Sequence, residues 1–400
     1  MRDRLIKVTV LLFLVILFSA GTIFVSRGTR STEDISGQAQ IPPAEVAGPV
    51  YHSPPMGDFI RFMDQELDSS GTVGAAYTIV QGGSIVYTDT YGVLEQGKPE
   101  EVDEHSLFRL ASVSKGFAGV LASLLDVEGI LSLDDRVVEH YTGFALKDSL
   151  STADLTIRHL LSHTTGLVPY AFDNLVEADQ DLYTIIDRLD EVNISAPPGE
   201  LYGYQNVLFS MLDPIAKKAT GTPYQVLLEQ KLFEPLGMHD ASAGPIDMKR
   251  YPNVALPHVN TGKDYVALQS HNGYYNVLPA AGVNASISDM GQWLLALLGH
   301  RGEVLPDTVL RTISTPLIYT PLKWRYTRYW KPFRERYYSL GWRIYTYQGR
   351  QIVYHGGYIR GYRAEIAFCP AEDVGIAFMQ NSPNGLASRV VPNFMDLFLE

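Results

Sequence analysis

The sequence predicts an α+β fold, an antiparallel sheet flanked by helices with a mostly helical stretch between the first strands and the last. Three observations carry this. Near the start, β-rich runs Ala75 to Val80 and Ser84 to Tyr91 are separated by Gln81-Gly82-Gly83, the spacing of a hairpin. Near the end, four β-rich runs follow one another at hairpin spacing: Ser339 to Tyr347, Gln351 to His355, Arg363 to Cys369 and Gly375 to Gln380, broken by Gly349, Gly356-Gly357 and Pro370. Between these groups, residues 171–240 carry helical periodicity interrupted at Ala196-Pro197-Pro198-Gly199 and Gly221-Thr222-Pro223.

In chain order, Arg2, Arg4 and Lys7 precede an apolar run from Val8 to Val25. A basic head before such a run reads as an export signal or a membrane anchor, residues 1–25, with the basic end cytoplasmic. Ser19-Ala20-Gly21 resembles a cleavage site, so removal and retention both stay open. Either outcome places the protein outside the cytoplasm, in the periplasm or cell envelope. Residues 26–55, rich in Ser, Gly, Gln, Pro and Ala, read as a flexible tether. The folded domain, 56–390, opens with an amphipathic helix carrying Phe59, Ile60, Phe62, Met63 and Leu67.

The formal net charge of −12 argues against nucleic-acid binding, which requires basic surface to displace counterions from phosphates. The partner it fits is a small molecule or peptide substrate. Cys369 is the single cysteine, so no intrachain disulfide and no cysteine-rich metal site can form. His159 and His163 stand at i,i+4, but no zincin Glu accompanies them; they read as buried, hydrogen-bonded histidines, and neither a metal nor another cofactor is expected. Oligomeric state has no signature in the sequence.

The chemistry starts at Ser112-Val113-Ser114-Lys115. With a helix starting at or just before Ser112, i,i+3 spacing puts hydroxyl and ammonium on one face, close enough to hydrogen bond. The apolar residues Phe117, Val120, Leu121, Leu124 and Leu125 continue at helical spacing, so the pair sits at the start of a buried helix. Ser-x-x-Lys alone is common and gains meaning only from partners. Two follow in order. Tyr204 and Asn206 are two apart, so in an extended segment phenol and amide face one pocket. Val353 to Tyr358 carries His355-Gly356-Gly357, where a strand ends against glycines that allow close approach. Residues 279–300 read as a strand or turn followed by a helix capped by Ser288.

These three motifs, spaced by about 90 and about 150 residues, together with Asp134-Asp135, His159 to Leu167, Pro198-Gly199, Leu236-Gly237-Met238 and Gly341-Trp342, resemble the serine β-lactamase and penicillin-recognising superfamily. Class C β-lactamases are the nearest pattern. The resemblance implies two lobes: an α/β lobe from residues 56–125 and 280–390, and an inserted helical lobe, 126–279, with the site between them. It implies that Ser112 attacks a carbonyl to form an acyl-enzyme, that Lys115 eases its deprotonation and that Tyr204 shuttles the proton, as a base only if Lys115 and other positive charge lower its pKa. Asn206 would bind the acyl side chain or steady Lys115. The oxyanion hole would be the backbone N–H groups of Ser112 and Tyr358, with His355, Gly356 and Gly357 at the substrate.

The departure from the class C pattern is at the third motif, where His355 and Gly356 stand for lysine and threonine. Histidine loses its charge near neutral pH, so His355 is expected to act as a switchable cation for a substrate carboxylate. His-x-Gly versions resemble D-amino-acid peptidases, carboxypeptidase-like penicillin-binding proteins and esterases. A peptidase or carboxypeptidase on D-amino-acid peptides is the leading reading; an esterase or amidase, a β-lactamase and a non-catalytic penicilloyl-binding sensor stand behind it. Finally, Tyr319 to Tyr338 interleaves eight aromatic residues, both ends included, and six bases with one acid, Glu335. It reads as a long loop before Ser339, either packed against the lobe or forming an interfacial membrane patch.

Overall fold

Eight strands form one antiparallel sheet in the computed structural model, which describes residues 54–268, 273–321, 328–331 and 335–399. The strands are β1 (Gly74–Gln81), β2 (Ser84–Gly92), β3 (Ile318–Tyr319), β4 (Glu335–Tyr338), β5 (Arg343–Tyr347), β6 (Arg350–Ile359), β7 (Tyr362–Cys369) and β8 (Val374–Gln380). Their order is β2-β1-β8-β7-β6-β5-β4-β3, so the first hairpin pairs directly with the last strand, Ala75 opposite Gln380. β1, an almost unbroken apolar run, is buried on both faces, as a central strand covered by helices on each side must be.

Helix α1 (Pro54–Ser69) buries Met56, Phe59, Met63 and Leu67, a stripe at helical spacing. It packs with the C-terminal helix over one face of the sheet, where Phe59 meets Phe394 edge to face. The other face carries α2 (Ser114–Val127) and α3 (Ile287–Leu297), and Phe117 stacks on Trp293 with 4.2 Å between centroids. The C-terminal helix, Ala387–Phe398, is called α4. α2 is buried continuously from Ser114 to Leu125, so it is the core helix of the molecule. Between α2 and α3 the chain forms mostly short helices, with a two-stranded sheet and two strands of a three-stranded one among them, the third strand being Phe108–Arg109 ahead of α2.

Three sequence expectations change. The helix after residue 285 is capped by Ser286 in a capping box with Asp289, and Ser288 lies inside it. The strand expected from Ser339 begins at Arg343, because Ser339 N–H donates to Trp342 O in a turn. The strand expected to stop at Gly356-Gly357 runs through both to Ile359.

The segment read as one long loop contributes β3 and β4 to the sheet edge. Trp330 is only 9% exposed and packs edge-on against Tyr345, Tyr347 and Tyr354, which fits packing rather than lipid contact for that residue. Lys323 to Tyr326, with Phe333 and Arg334, lie outside the described residues. So do the signal or anchor and nearly all of the tether. Among the described residues no helix is long and apolar enough to cross a membrane.

Candidate active site

Ser112 sits in a single 3-10 turn, Ala111–Val113, that feeds α2. The turn is held tight: Ala111 adopts φ 47°, a left-handed conformation that costs a residue with a Cβ roughly 1–3 kcal/mol and is found where function demands it. Three other non-glycine residues near the site, His163, Tyr170 and Phe172, share that region, at φ 59° to 61°.

Lys115, one turn on, is 0% exposed. Its Nζ donates to Asn206 Oδ1 at 2.7 Å and to Ala280 O at 3.0 Å, and lies 3.5 Å from Ser112 Oγ. Burial, aided by the charge of Arg343 and opposed by Asp173, lowers its pKa to about 7. A neutral amine has two N–H donors and one lone pair. Asn206 and Ala280 take the donors, and the lone pair is left for Ser112.

Tyr204, 9% exposed, hydrogen bonds Ser112 through its hydroxyl, and its ring lies 4.7 Å from Lys115 Nζ. The condition for Tyr204 to serve as a base, a pKa lowered by positive charge, is not met. Burial pushes the phenol well above its ordinary value, and the Ser112 hydrogen bond and Arg343 oppose this only partly. A phenolate is costly where little water reaches it, so Tyr204 stays protonated.

Asn206 follows the second of the two expected roles, steadying Lys115. Its amide is oriented by a partner that sequence reasoning missed: Asn206 Nδ2 donates to Asp173 Oδ2 at 2.7 Å. A carboxylate can only accept, so it turns the NH2 of Asn206 toward itself and the carbonyl toward Lys115. Asp173 is 33 residues away in sequence, with no local pattern to mark it.

On the opposite wall, β6 brings His355, Gly356 and Gly357 past the serine turn. A Cβ on Gly357 would lie 2.2 Å from Leu110 O and 3.1 Å from Ser112 N, so only glycine lets the strand approach this closely. Tyr358, whose N–H was expected in the oxyanion hole, follows next in β6, and its residue is 62% exposed.

His355 does not stand where a switchable cation should. It is 1% exposed, with Nδ1 3.0 Å from Gly356 O and Nε2 3.1 Å from the Tyr338 hydroxyl. One neutral tautomer satisfies both: Nδ1–H donates and Nε2 accepts. Burial first, then Arg343 and Lys115, hold its pKa well below the ordinary histidine value. His163, also buried, accepts Gln205 N–H at Nδ1 and packs 4.3 Å from the Tyr204 ring, so it belongs to the wall behind the tyrosine. Among the described residues no group of three or more His, Cys, Asp or Glu is placed to hold a metal ion. Cys369 is buried, with its thiol pKa raised chiefly by that burial.

The comparisons with known proteins agree with this architecture. The family model described as Beta-lactamase matches residues 59–396. The chain is 28% identical over 323 residues to Beta-lactamase-like protein 2 of Dictyostelium discoideum, covering 78% of this chain and 56% of that protein. It is 27% identical over 358 residues to Unguisins hydrolase ungD of Aspergillus violaceofuscus, covering 82% and 61%. The chain thus spans less than two thirds of the length of either relative. The octameric penicillin-binding protein homologue from Pyrococcus abyssi superposes with a TM-score of 0.75 at 22% identity, over 86% of this chain and 77% of that one, a likeness of fold. With a match of that extent laid over the ordered serine, tyrosine and glycine motifs, the chain belongs to the Beta-lactamase family, within the serine β-lactamase and penicillin-binding protein superfamily.

Proposed function

We propose that the protein is a serine hydrolase acting through an acyl-enzyme on Ser112, with D-amino-acid peptides as substrates of a peptidase or carboxypeptidase reaction. The observation that carries the hydrolase reading is the state of Lys115: a buried amine with pKa about 7, its donors taken by Asn206 and Ala280 and its lone pair left toward Ser112. At 3.5 Å the Ser112 contact is long, as such contacts often are before substrate binds. Ser112 Oγ bonds to the substrate carbonyl carbon as its proton passes to Lys115. The carbonyl oxygen becomes an oxyanion facing the N–H groups of Ser112 and Tyr358. As the tetrahedral species collapses, the leaving nitrogen or oxygen takes a proton from the Tyr204 hydroxyl, which recovers one from the Lys115 side. Water then repeats the sequence on the acyl-enzyme.

Tyr204 acts here as a neutral relay, since its raised pKa removes it as a resting base. The peptidase reading draws support from the His-Gly-Gly form of the third motif. An esterase or amidase reading is favoured by one observation: the neutral, buried His355 supplies no cation for a substrate carboxylate. The N-terminal segment, retained or cleaved, would place the reaction in the cell envelope. A screen of the protein against D-Ala-D-Ala peptides, D-aminoacyl amides, short esters and a chromogenic cephalosporin tests the proposal. Turnover of the D-peptides above the esters supports the peptidase, the reverse order supports the esterase, and turnover of none removes the hydrolase reading.

A further inference from the structure

Neighbouring residues of a strand face opposite sides of the sheet. At Gly357 an added Cβ would strike the serine turn, whereas at Gly356 it would lie 2.7 Å from Glu365 Oε2 and 2.7 Å from the Tyr354 hydroxyl. On that side a cavity of about 110 Å³ is lined by Arg343, Tyr354, Gly356, Arg363 and, from α4, Ser388. Several waters would fit in such a volume, and so would one carboxylate or phosphate group.

Among the described residues the charges in this place do not balance. Glu365 is buried and already held: Arg363 Nε donates to its Oε1 at 2.7 Å and the Tyr354 hydroxyl to its Oε2 at 2.6 Å. Arg343 has no ion pair among the described residues; its side chain meets the Tyr202 hydroxyl, and its Nη1 is buried without a hydrogen-bond partner. Among the described residues this leaves the Arg343 guanidinium without a carboxylate of its own where water is scarce, and a buried charge is costly unless it is paired. The planar fork of arginine fits an oxyanion through two parallel hydrogen bonds. Ser388 is exposed, so the cavity has a route to solvent. The same Arg343 reaches the catalytic side, with Cζ 6.0 Å from the Tyr204 ring centroid and 5.6 Å from that of Tyr338.

We propose that this cavity binds a small oxyanion of carboxylate or phosphate type, held by Arg343 together with Arg363. The site shares Arg343 with the wall behind Tyr204, so its occupant alters the charge that the catalytic groups experience. Binding needs no turnover and is measured independently of any hydrolase activity.

Isothermal titration calorimetry with inorganic phosphate should show one saturable site on the wild-type protein. Affinity should weaken at least tenfold in Arg343→Gln and remain in Arg350→Gln, whose arginine pairs with Glu372 at the surface. Absence of a saturable site, no change in Arg343→Gln, or an equal loss in Arg350→Gln overturns the proposal. Should Arg343→Gln fail to fold, wild-type crystals soaked in selenate decide: density between Arg343 and Arg363 is expected, and an empty cavity contradicts it. The source of the anion is read on Ser112→Ala. Phosphate that competes with a D-alanyl peptide acid but not with its C-terminal amide marks the pocket as holding the ligand's own carboxylate; phosphate that binds alongside both marks a separate small anion.

Discussion

Lys115 and Asn206, 91 residues apart in sequence, meet at 2.7 Å with the lysine as donor and the amide oxygen as acceptor. That contact, with the one to Ala280, fixes which side of the amine is free for Ser112. The lowered pKa of that amine comes first from its burial, with Asp173 opposing and Arg343 adding to the shift.

The first prediction is a pH profile. Only unprotonated Lys115 can accept the Ser112 proton, so kcat/KM should rise with pH through an apparent pKa of about 7 and level off above it. The assay is an initial-rate series on a neutral ester, which carries no titrating group of its own. A flat profile between pH 5.5 and about 8.5, the range spanning that pKa, would remove Lys115 as base.

The same shift has a stability consequence. Lys115 has a folded pKa of about 7 against an ordinary 10.5, so between those values the unfolded chain binds more protons than the folded one. Stability therefore rises with pH across that window, and below pH 7 the full cost is present. Lys115→Met should abolish activity yet unfold at higher denaturant at pH 7, by on the order of 2–4 kcal/mol, since the buried cation is gone and the stem is retained. Destabilisation by the substitution would show that the two lysine hydrogen bonds outweigh desolvation.

Asp173 supplies a third test. Its negative charge raises the Lys115 pKa, so Asp173→Asn should move the ascending limb of the profile to lower pH. The substituted amide can also donate, which frees Asn206 to turn over, and kcat should fall about tenfold, the equivalent of one pKa unit of interaction. A limb that stays in place would confine Asp173 to a structural role.

How much of this was legible in the sequence follows from the range of each interaction. Ser112 and Lys115 could be paired because helical spacing is local, and the hairpin at Gln81 to Gly83 because turn residues announce it. The strand through Gly356-Gly357 could not, since glycine reads as a strand breaker until Leu110 is known to press against it. The neutral state of His355 depends first on its burial and then on Arg343 from β5, its tautomer on Tyr338 from β4, and the raised pKa of Tyr204 on burial by the assembled walls. The cap moved from Ser288 to Ser286 because two serines stand close together and only one has an Asp at the third helical position.

His355 gives a fourth prediction, opposite to the sequence reading. Imidazole resonances of the ¹⁵N-labelled protein should report a ring that stays neutral as pH falls through the ordinary histidine pKa, and acid and ester substrates should show no difference in pH dependence from this residue. A titration of His355 near its ordinary pKa would contradict the burial argument.

The central claim is that Ser112 alone becomes acylated. Intact-mass spectrometry of the protein treated with a fluorophosphonate probe tests it most directly, with Ser112→Ala as the comparison. One adduct is expected on the wild type and none on the variant, with Cys369 unlabelled in both because it is buried and its thiol pKa raised. An adduct that survives Ser112→Ala, or a wild-type protein that takes none, contradicts it.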